Sequence, residues 1–265
     1  MHDVSAKQAE FLKTYSKRKQ TVSFFRLFIL LVFLAIWEIC ARTGVIDKFI
    51  FSCPSSICEA AVYMTNDGSL LYHIWITLSE TIAGFVLGTV IGTIIAILLW
   101  WNSTACEITQ PYLVVLNSLP KTALAPIIIV WLGNNTKSII LIALLTSVII
   151  TIMNVLQGFI ETDKDKIKLI KIFGGSKMQV LKRVVFPANI PVIFNALKIN
   201  IGLSFVGVIV GEFLVGKAGL GYLIVYSSQI FKLDNVMLSV TVLAIMAALM
   251  YKVITIIENR YIKKI

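Results

Sequence analysis

Long apolar runs alternate with short polar stretches along the whole chain, and the lengths of the runs set the first expectations. Residues 1–23 are polar and basic, with Lys17, Arg18 and Lys19 adjacent, and predict a frayed or amphipathic arm. Phe24–Ala41 is the first apolar run. It leads into Trp37, Glu38 and Arg42 rather than into a small-residue cleavage site, so it predicts a retained span instead of a cleaved leader. A polar stretch over 44–74 follows. Pro54-Ser-Ser predicts the start of a short helix there, with Ala60, Ala61, Tyr63 and Met64 as its packing residues. Thr81–Trp101 contains no charged residue and predicts a second span, closed by the Trp100-Trp101 pair at an interface. A third span is expected over Tyr112–Leu132, interrupted by Pro120, Lys121 and Pro126, whose freed carbonyls need partners. Ser138–Gly158, Pro191–Gly211 and Asn235–Ile257 are the fourth, fifth and sixth runs. A glycine-rich connection, Gly216-Lys-Ala-Gly-Leu-Gly-Tyr222, lies between the last two. The expected plan is an arm (1–23), one six-span domain (24–258) and a basic tail (259–265).

Composition agrees with a membrane protein. Of 265 residues 58% are hydrophobic and only 14% charged, against about a quarter charged in soluble domains. Mean hydropathy is +0.88. The net charge of +10 would suggest nucleic acid in a soluble chain. Here it sits beside apolar runs, which points to topology and anionic headgroups instead. Of 24 Lys and Arg residues, 18 fall in the N-terminal arm through Arg26, in 161–198 and in the tail from Lys252. That asymmetry predicts both termini and the 161–191 segment on the cytoplasmic side. Cys40 and Cys106 lie in or near spans as packing residues. Cys53 and Cys58 share a loop, where neither pairing nor free thiols are fixed by spacing. With only His2 and His73, a histidine metal centre is not expected.

The 161–191 segment is the exception among these greasy runs. Asp163 to Phe173 places Ile167, Ile170 and Phe173 at helical spacing among lysines. Gly174-Gly175 predicts a left-handed stop. Ser176 followed by Gln179 predicts a capping box opening a second helix, with Leu181, Val184 and Val185 as its apolar stripe and Lys177, Lys182 and Arg183 polar. Pro187 is expected to end that helix, and Pro191 to open the fifth span. On residues alone, two readings stand: a hairpin lying on anionic lipid, or a rigid knob for a soluble partner.

Gly174 and Pro187, the Gly174-Gly175-Ser176 turn and Lys182-Arg-Val-Val-Phe-Pro187 resemble the cytoplasmic loop of the permease subunits of bacterial binding-protein-dependent ABC importers. The branch is the one importing nitrate, aliphatic sulfonates, taurine and thiamine-pyrimidine precursors. Leu119-Pro-Lys-Thr-Ala-Leu-Ala-Pro126 and Gly219-Leu-Gly-Tyr-Leu-Ile224 resemble two further motifs of that branch, and the similarity covers roughly 50–258. One departure is that Lys168-Leu169-Ile170 replaces the family's Glu-Ala-Ala, so a contact made by that glutamate does not carry over. The resemblance implies an all-α membrane protein of about six transmembrane helices with a cytoplasmic two-helix coupling hairpin, like a type I ABC importer permease. It implies a permease dimer, two ATP-binding subunits and an external substrate-binding protein. ATP and magnesium belong to the partner ATPase, and no cofactor belongs to this chain. It assigns ATPase coupling to Ile170, Phe173, Gly174, Gly175, Ser176, Lys177, Gln179, Leu181, Arg183 and Pro187. The chain has no G-x-x-x-x-G-K-[ST] loop, which agrees with ATP being bound elsewhere.

Candidate pathway residues are polar groups inside or at the edges of spans. Glu80 and Glu212 are carboxylates near span edges, either functional or structurally paired. Lys121 could attract an anion or snorkel to headgroups. Asn117, Ser147, Thr151, Asn154, Asn200 and Ser204 could line a pathway or make interhelical hydrogen bonds. Gly84, Gly88 and Gly92, spaced four apart, make one small-residue face suited to a helix contact. No Ser-His-Asp set, paired-carboxylate cleft or metal cluster is visible, so the chain is not expected to be an enzyme. A self-sufficient secondary transporter or channel is the alternative, although no inverted repeat or ion-coupling pair is evident. The cargo expected from the resemblance is a sulfonate, nitrate or taurine, with a thiamine-precursor pyrimidine as the other option.

Overall fold

The computed structural model describes residues 6–262, so His2, Lys263 and Lys264 lie outside the described residues. The described residues are almost entirely helical and contain no strand. Two compact units divide the chain between residues 63 and 64.

In the first unit, α1 (Ala6–Arg42) runs unbroken from the expected arm into the first span. Its Lys17–Arg42 portion is long and apolar enough to cross a bilayer. The short helix α2 (Lys48–Phe51) starts on Asp47, whose carboxylate accepts from Phe49 N. α3 (Pro54–Asn66) begins at Pro54 as the sequence predicts. Its first turn is held by Glu38 of α1, which accepts from Ser55 N at 3.0 Å and from Ser55 Oγ at 2.8 Å. Glu38 also pairs with Arg42 at 2.6 Å. Cys53 is buried beside Ser55 and Ser56, Cys58 is exposed, and both are free thiols. Tyr63 departs from its expected packing role: it is 72% exposed.

The second unit is built around three helices: α4 (Ser69–Trp101), α7 (Thr136–Ile160) and α11 (Ile190–Val215). Small residues explain why they pack so closely. Gly84, Gly88 and Gly92 of α4 lie directly against Ala143, Ser147 and Thr151 of α7, a four-residue period meeting a four-residue period. Gly207 and Gly211 of α11 lie against Ala143, Thr146 and Ile139 on another side of α7. In a bilayer there is no hydrophobic drive between helices, so close backbone approach and interhelical hydrogen bonds supply the attraction. α7 is therefore the most enclosed helix, with Ile142, Ala143, Ser147, Thr151 and Val155 all fully buried.

The third expected span is not a straight helix. α5 (Ser103–Ser118) and the segment ending in α6 (Ala125–Leu132) meet at an angle of 83° across a short 3₁₀ turn at Lys121–Leu124. Pro120 supplies no amide proton at the break and favours extended backbone before it, so the α-helix cannot continue through Leu119. Among the described residues, five helices are long and apolar enough to span a membrane, or six if this bent pair counts as one.

The connection expected at 216–222 contains a helix of its own, α12 (Leu220–Gln229), ahead of the last span, α13 (Leu233–Ile262). Lys198 of α11 pairs with Glu258 of α13 at 2.5 Å and stands 5.8 Å from the Tyr251 ring centroid, tying those two helices together.

Candidate functional site

Two polar features of the second unit stand apart from helix packing, and they lie toward opposite ends of α4. The first is the 161–191 hairpin. α8 (Lys164–Ile172) starts on Asp163, whose carboxylate accepts from Asp165 N. It ends in a pattern that satisfies its last carbonyls: Gly175 N donates to Ile170 O at 2.9 Å and Gly174 N to Lys171 O at 3.0 Å. That pair of bonds is a Schellman motif and needs a left-handed residue, which Gly174 provides at φ +74°. Ser176 then caps α9 (Lys177–Val180). Its backbone N–H donates to Gln179 Oε1 at 2.7 Å, and its hydroxyl accepts from Gln179 N. The predicted capping box is present.

The second helix departs from expectation beyond Val180. Residues 181–185 widen into a π-turn, and Pro187 does not end the helix but sits inside the next short piece, α10 (Phe186–Ala188). Proline has no amide to donate back to Arg183, and a local widening of the turn accommodates that missing bond. Val180, Leu181 and Val185 are buried in a cluster with Phe159, Val155 and Ala96, with Ile167 and Ile170 packed against it. The base of the hairpin is therefore part of the core. Its tip is not: Ile172 and Phe173 are each 80% exposed, and Leu169 on the same helix is exposed as well, as is Arg183 in the π-turn.

Lys177 is placed differently from its fellow lysines. Its ammonium donates to the carbonyl of Trp101, the last residue of α4, at 2.5 Å, and stands 5.7 Å from the centroids of both the Trp100 and Trp101 rings. A cation at a helix C-terminus meets the negative end of the helix dipole and an unsatisfied carbonyl together.

The second feature is a carboxyl cluster about 32 Å up α4 from that contact, 21 residues at 1.5 Å each. Glu212, near the end of α11, is buried. It accepts from Thr77 Oγ1 at 2.7 Å and, through its other oxygen, from Gly221 N at the start of α12. Thr77 accepts from Leu220 N at 2.7 Å, and His73 Nδ1 accepts from Gly219 N at 3.0 Å, with Tyr222 stacked on the imidazole. Gly219 has φ +108°, and a side chain there would run into the Glu212 carboxyl. Glu212 thus fixes α12 and its leading loop onto α4. Glu80 lies beside it, only 3% exposed, with its carboxyl facing Glu212 and Thr136.

The other candidate pathway residues divide into two groups. Ser147, Thr151, Asn200 and Ser204 are fully buried among α4, α7 and α11. Asn200 donates to Thr89 Oγ1 at 3.1 Å and Thr151 Oγ1 at 2.6 Å, and Ser147 and Thr151 bond back to their own helix. Asn154 is half-buried on α7. Asn117 and Lys121 lie at the α5–α6 bend, where the lysine donates to Asn117 Oδ1 at 3.0 Å. Sequence reasoning missed Thr77, His73 and the α12 amides. Only the closeness of Gly219 and Gly221 to a helix start hinted at them. Among the described residues, no group of three or more His, Cys, Asp or Glu could hold a metal ion.

Comparisons with known proteins fit this architecture. Residues 88–265 match the family model described as binding-protein-dependent transport system inner membrane component. A Bacillus subtilis permease protein named for aliphatic sulfonates transport is 24% identical over 88% of this chain and 84% of its own. The formylaminopyrimidine transport permease protein ThiX of Halalkalibacterium halodurans is 28% identical over 86% of this chain and 91% of its own. The riboflavin transport system permease protein RibX of Chloroflexus aurantiacus is 27% identical over 88% and 87%. Among solved structures, the inward-facing MetNI methionine ABC transporter superposes with a TM-score of 0.65 at 19% identity, covering 72% of this chain and 95% of that one. The chain belongs to the binding-protein-dependent transport system inner membrane components, the multi-pass permease subunits of ABC importers.

Proposed function

We propose that this subunit forms the translocation pathway of an ATP-driven importer and that the 161–191 hairpin is its contact with the ATPase. Permeases of this kind work with ATPase subunits and an external binding protein. The observation that carries the reading is the hairpin's division of labour. Its base is capped at the turn and buried in the core, while its tip presents Leu169, Ile172 and Phe173 to no partner in its own unit. Rigid support under an exposed apolar tip suits a knob for a groove on a soluble engine. In this reading the hairpin and both termini are cytoplasmic, two copies of the permease pair, and each docks one ATPase. ATP-driven closure of the ATPase pair draws the hairpins together, and the α4–α7–α11 bundle changes the side to which the pathway opens. Nucleotide shifts that equilibrium only by its differential affinity for the two states.

The cargo is a small solute handed over by the binding protein. The first choice is an aliphatic sulfonate, nitrate or taurine, and the second a thiamine-precursor pyrimidine, since the relatives include one named for each of two such cargoes. The test uses native membranes and Phe173→Cys with a short thiol crosslinker. Capture of an ATP-binding subunit, with uptake that requires both that subunit and a binding protein, is the expected result. Uptake by the permease alone would favour a self-sufficient transporter or channel and overturn the proposal.

A further inference from the structure

The first span begins with cations and no carboxylate. Residues 11–37 contain no Asp or Glu, while Lys17, Arg18 and Lys19 precede the apolar run and Arg26 interrupts it. The helix sorts these charges onto faces. Arg18, Lys19 and Arg26 line one shallow furrow along α1, together with Tyr15, Val22 and Ser23. Lys17 falls about half a turn away, on the opposite face. Among the described residues none of the three furrow cations has an ion-pair partner. Glu38, the next carboxylate along the helix, is taken up by Arg42 and Ser55. Arg26 is placed past Phe24 and Phe25, and Phe24, Phe25, Leu27 and Phe28 around it are all exposed. A guanidinium at that depth reaches back to headgroup level. Side chains on a helix lean toward its N-terminus, which here is the direction of Ser23 and Lys19. Beyond Arg26 the same face continues as Ile29, Leu30 and Phe33, which are 66%, 53% and 59% exposed. A cationic end followed by an apolar track matches the order of head and acyl chain in an anionic lipid.

We propose that this face of α1 is a binding site for one anionic phospholipid, with Arg18, Lys19 and Arg26 holding the phosphodiester and an acyl chain lying along Ile29, Leu30 and Phe33. Arginine offers a phosphate two parallel N–H donors in a fixed fork, which lysine does not. A zwitterionic lipid brings its own ammonium group, which the three cations repel. The occupant is a lipid rather than a free phosphate because the charged furrow runs directly into apolar residues that need a hydrocarbon partner. The site belongs to α1 alone; only the leaflet it faces rests on the orientation proposed above.

The full-length permease in a neutral detergent provides the test. It is titrated with phosphatidylglycerol or phosphatidylcholine, with and without inorganic phosphate, and bound lipid is counted by native mass spectrometry. At least one saturable equivalent of phosphatidylglycerol is expected, tighter than any of phosphatidylcholine. Each furrow charge removed should weaken that equivalent about fivefold, so Arg26→Gln loses about fivefold and the Arg18→Gln, Lys19→Gln double variant about 25-fold. Arg26→Lys keeps the charge without the fork and should fall between wild type and Arg26→Gln. Lys17→Gln removes the same charge from the opposite face and should leave the equivalent unchanged. All four positions are exposed and glutamine is a good helix former, so the variants should fold; the comparison of the two lipids on wild type stands without them. Equal affinity for the two lipids, unchanged affinity in Arg26→Gln, or an equal loss in Lys17→Gln overturns the site. Displacement of the lipid by inorganic phosphate would make this a plain anion site and overturn the lipid assignment. So would crosslinking of Phe33→Cys to a second copy where wild type gives none, because the face would then be a contact between chains. None of these outcomes depends on whether the hairpin docks an ATPase, which the crosslinking experiment at Phe173 decides separately.

Discussion

Gly174 offers the sharpest probe of the hairpin, because the structure separates its conformational role from any packing role. It adopts φ +74°, and a Cβ added there would meet nothing within 4 Å. The only cost of a side chain at this position is therefore the left-handed backbone, about 1–2 kcal/mol for an ordinary L-residue and less for asparagine. A penalty of that size lowers the ratio of native to opened turn by a factor of about 5–30. If the turn must be in place before an ATPase can grip the tip, affinity falls with the competent fraction, by up to that factor. Binding of the ATPase subunit to permease nanodiscs, followed by interferometry, should rank wild type first, then Gly174→Asn, Gly174→Ala and Gly174→Val. Binding-protein-stimulated ATP hydrolysis should fall in the same order. Gly175 supplies the control for reasoning from geometry. A Cβ there would sit 2.7 Å from the Ile170 carbonyl oxygen, which is backbone and cannot swing aside. Gly175→Ala should therefore cost more than Gly174→Ala, despite the lack of a positive φ. Unchanged ATPase affinity and full stimulation in Gly174→Val would refute the claim that this turn positions a docking surface.

Other consequences are open to measurement. Gly88→Val should lower the melting temperature sharply, because its Cβ would overlap the Ser147 hydroxyl, and overpacking of this kind costs about 1–3 kcal/mol; the same change at Gly202, which faces open space, should be mild. Lys177→Met should detach the hairpin base from α4, seen as faster hydrogen exchange over 176–180 and altered Trp fluorescence, while Lys177→Arg should largely preserve both. Asp67 caps the start of α4 through Ser69 N, and its hydrogen bonds to the Ser69 side chain and backbone hold its pKa below the ordinary aspartate value. Its contribution is thus present above the unfolded-state pKa and lost as pH falls through the folded value, so Ser69 amide protection should drop only in acid.

Much of the architecture was legible because membrane helices advertise themselves by length and apolarity. The four-residue glycine spacing on α4 correctly marked a contact face, since little other than close helix approach explains such a stripe. The Gly174-Gly175-Ser176 turn and the Ser176–Gln179 box were equally readable, being local patterns with a fixed hydrogen-bond logic. What escaped were the chain's local responses to proline and features fixed by partners distant in the sequence. The bend between α5 and α6 depends on how Pro120 is relieved, and the π-turn at 181–185 on Pro187, where a simple helix stop was the plainer expectation. The meeting of Thr77, Glu80, Glu212 and the α12 amides joins residues from separate helices, and no spacing rule links them. In the sequence Lys177 reads as one more solvent-facing basic residue of the hairpin, whereas its ammonium sits on the end of α4.

α4 is a single unbroken rod of 33 residues, about 50 Å long, anchored at its foot by Lys177 and near its head by the Thr77–Glu212–Leu220 junction. Such a rod acts as a lever arm. A tilt of about 5° at the foot sweeps the head through roughly 4 Å over that length, more than enough to break a hydrogen bond. A modest push at the foot therefore needs no relay of side chains to be felt at that junction, because backbone stiffness carries the stroke.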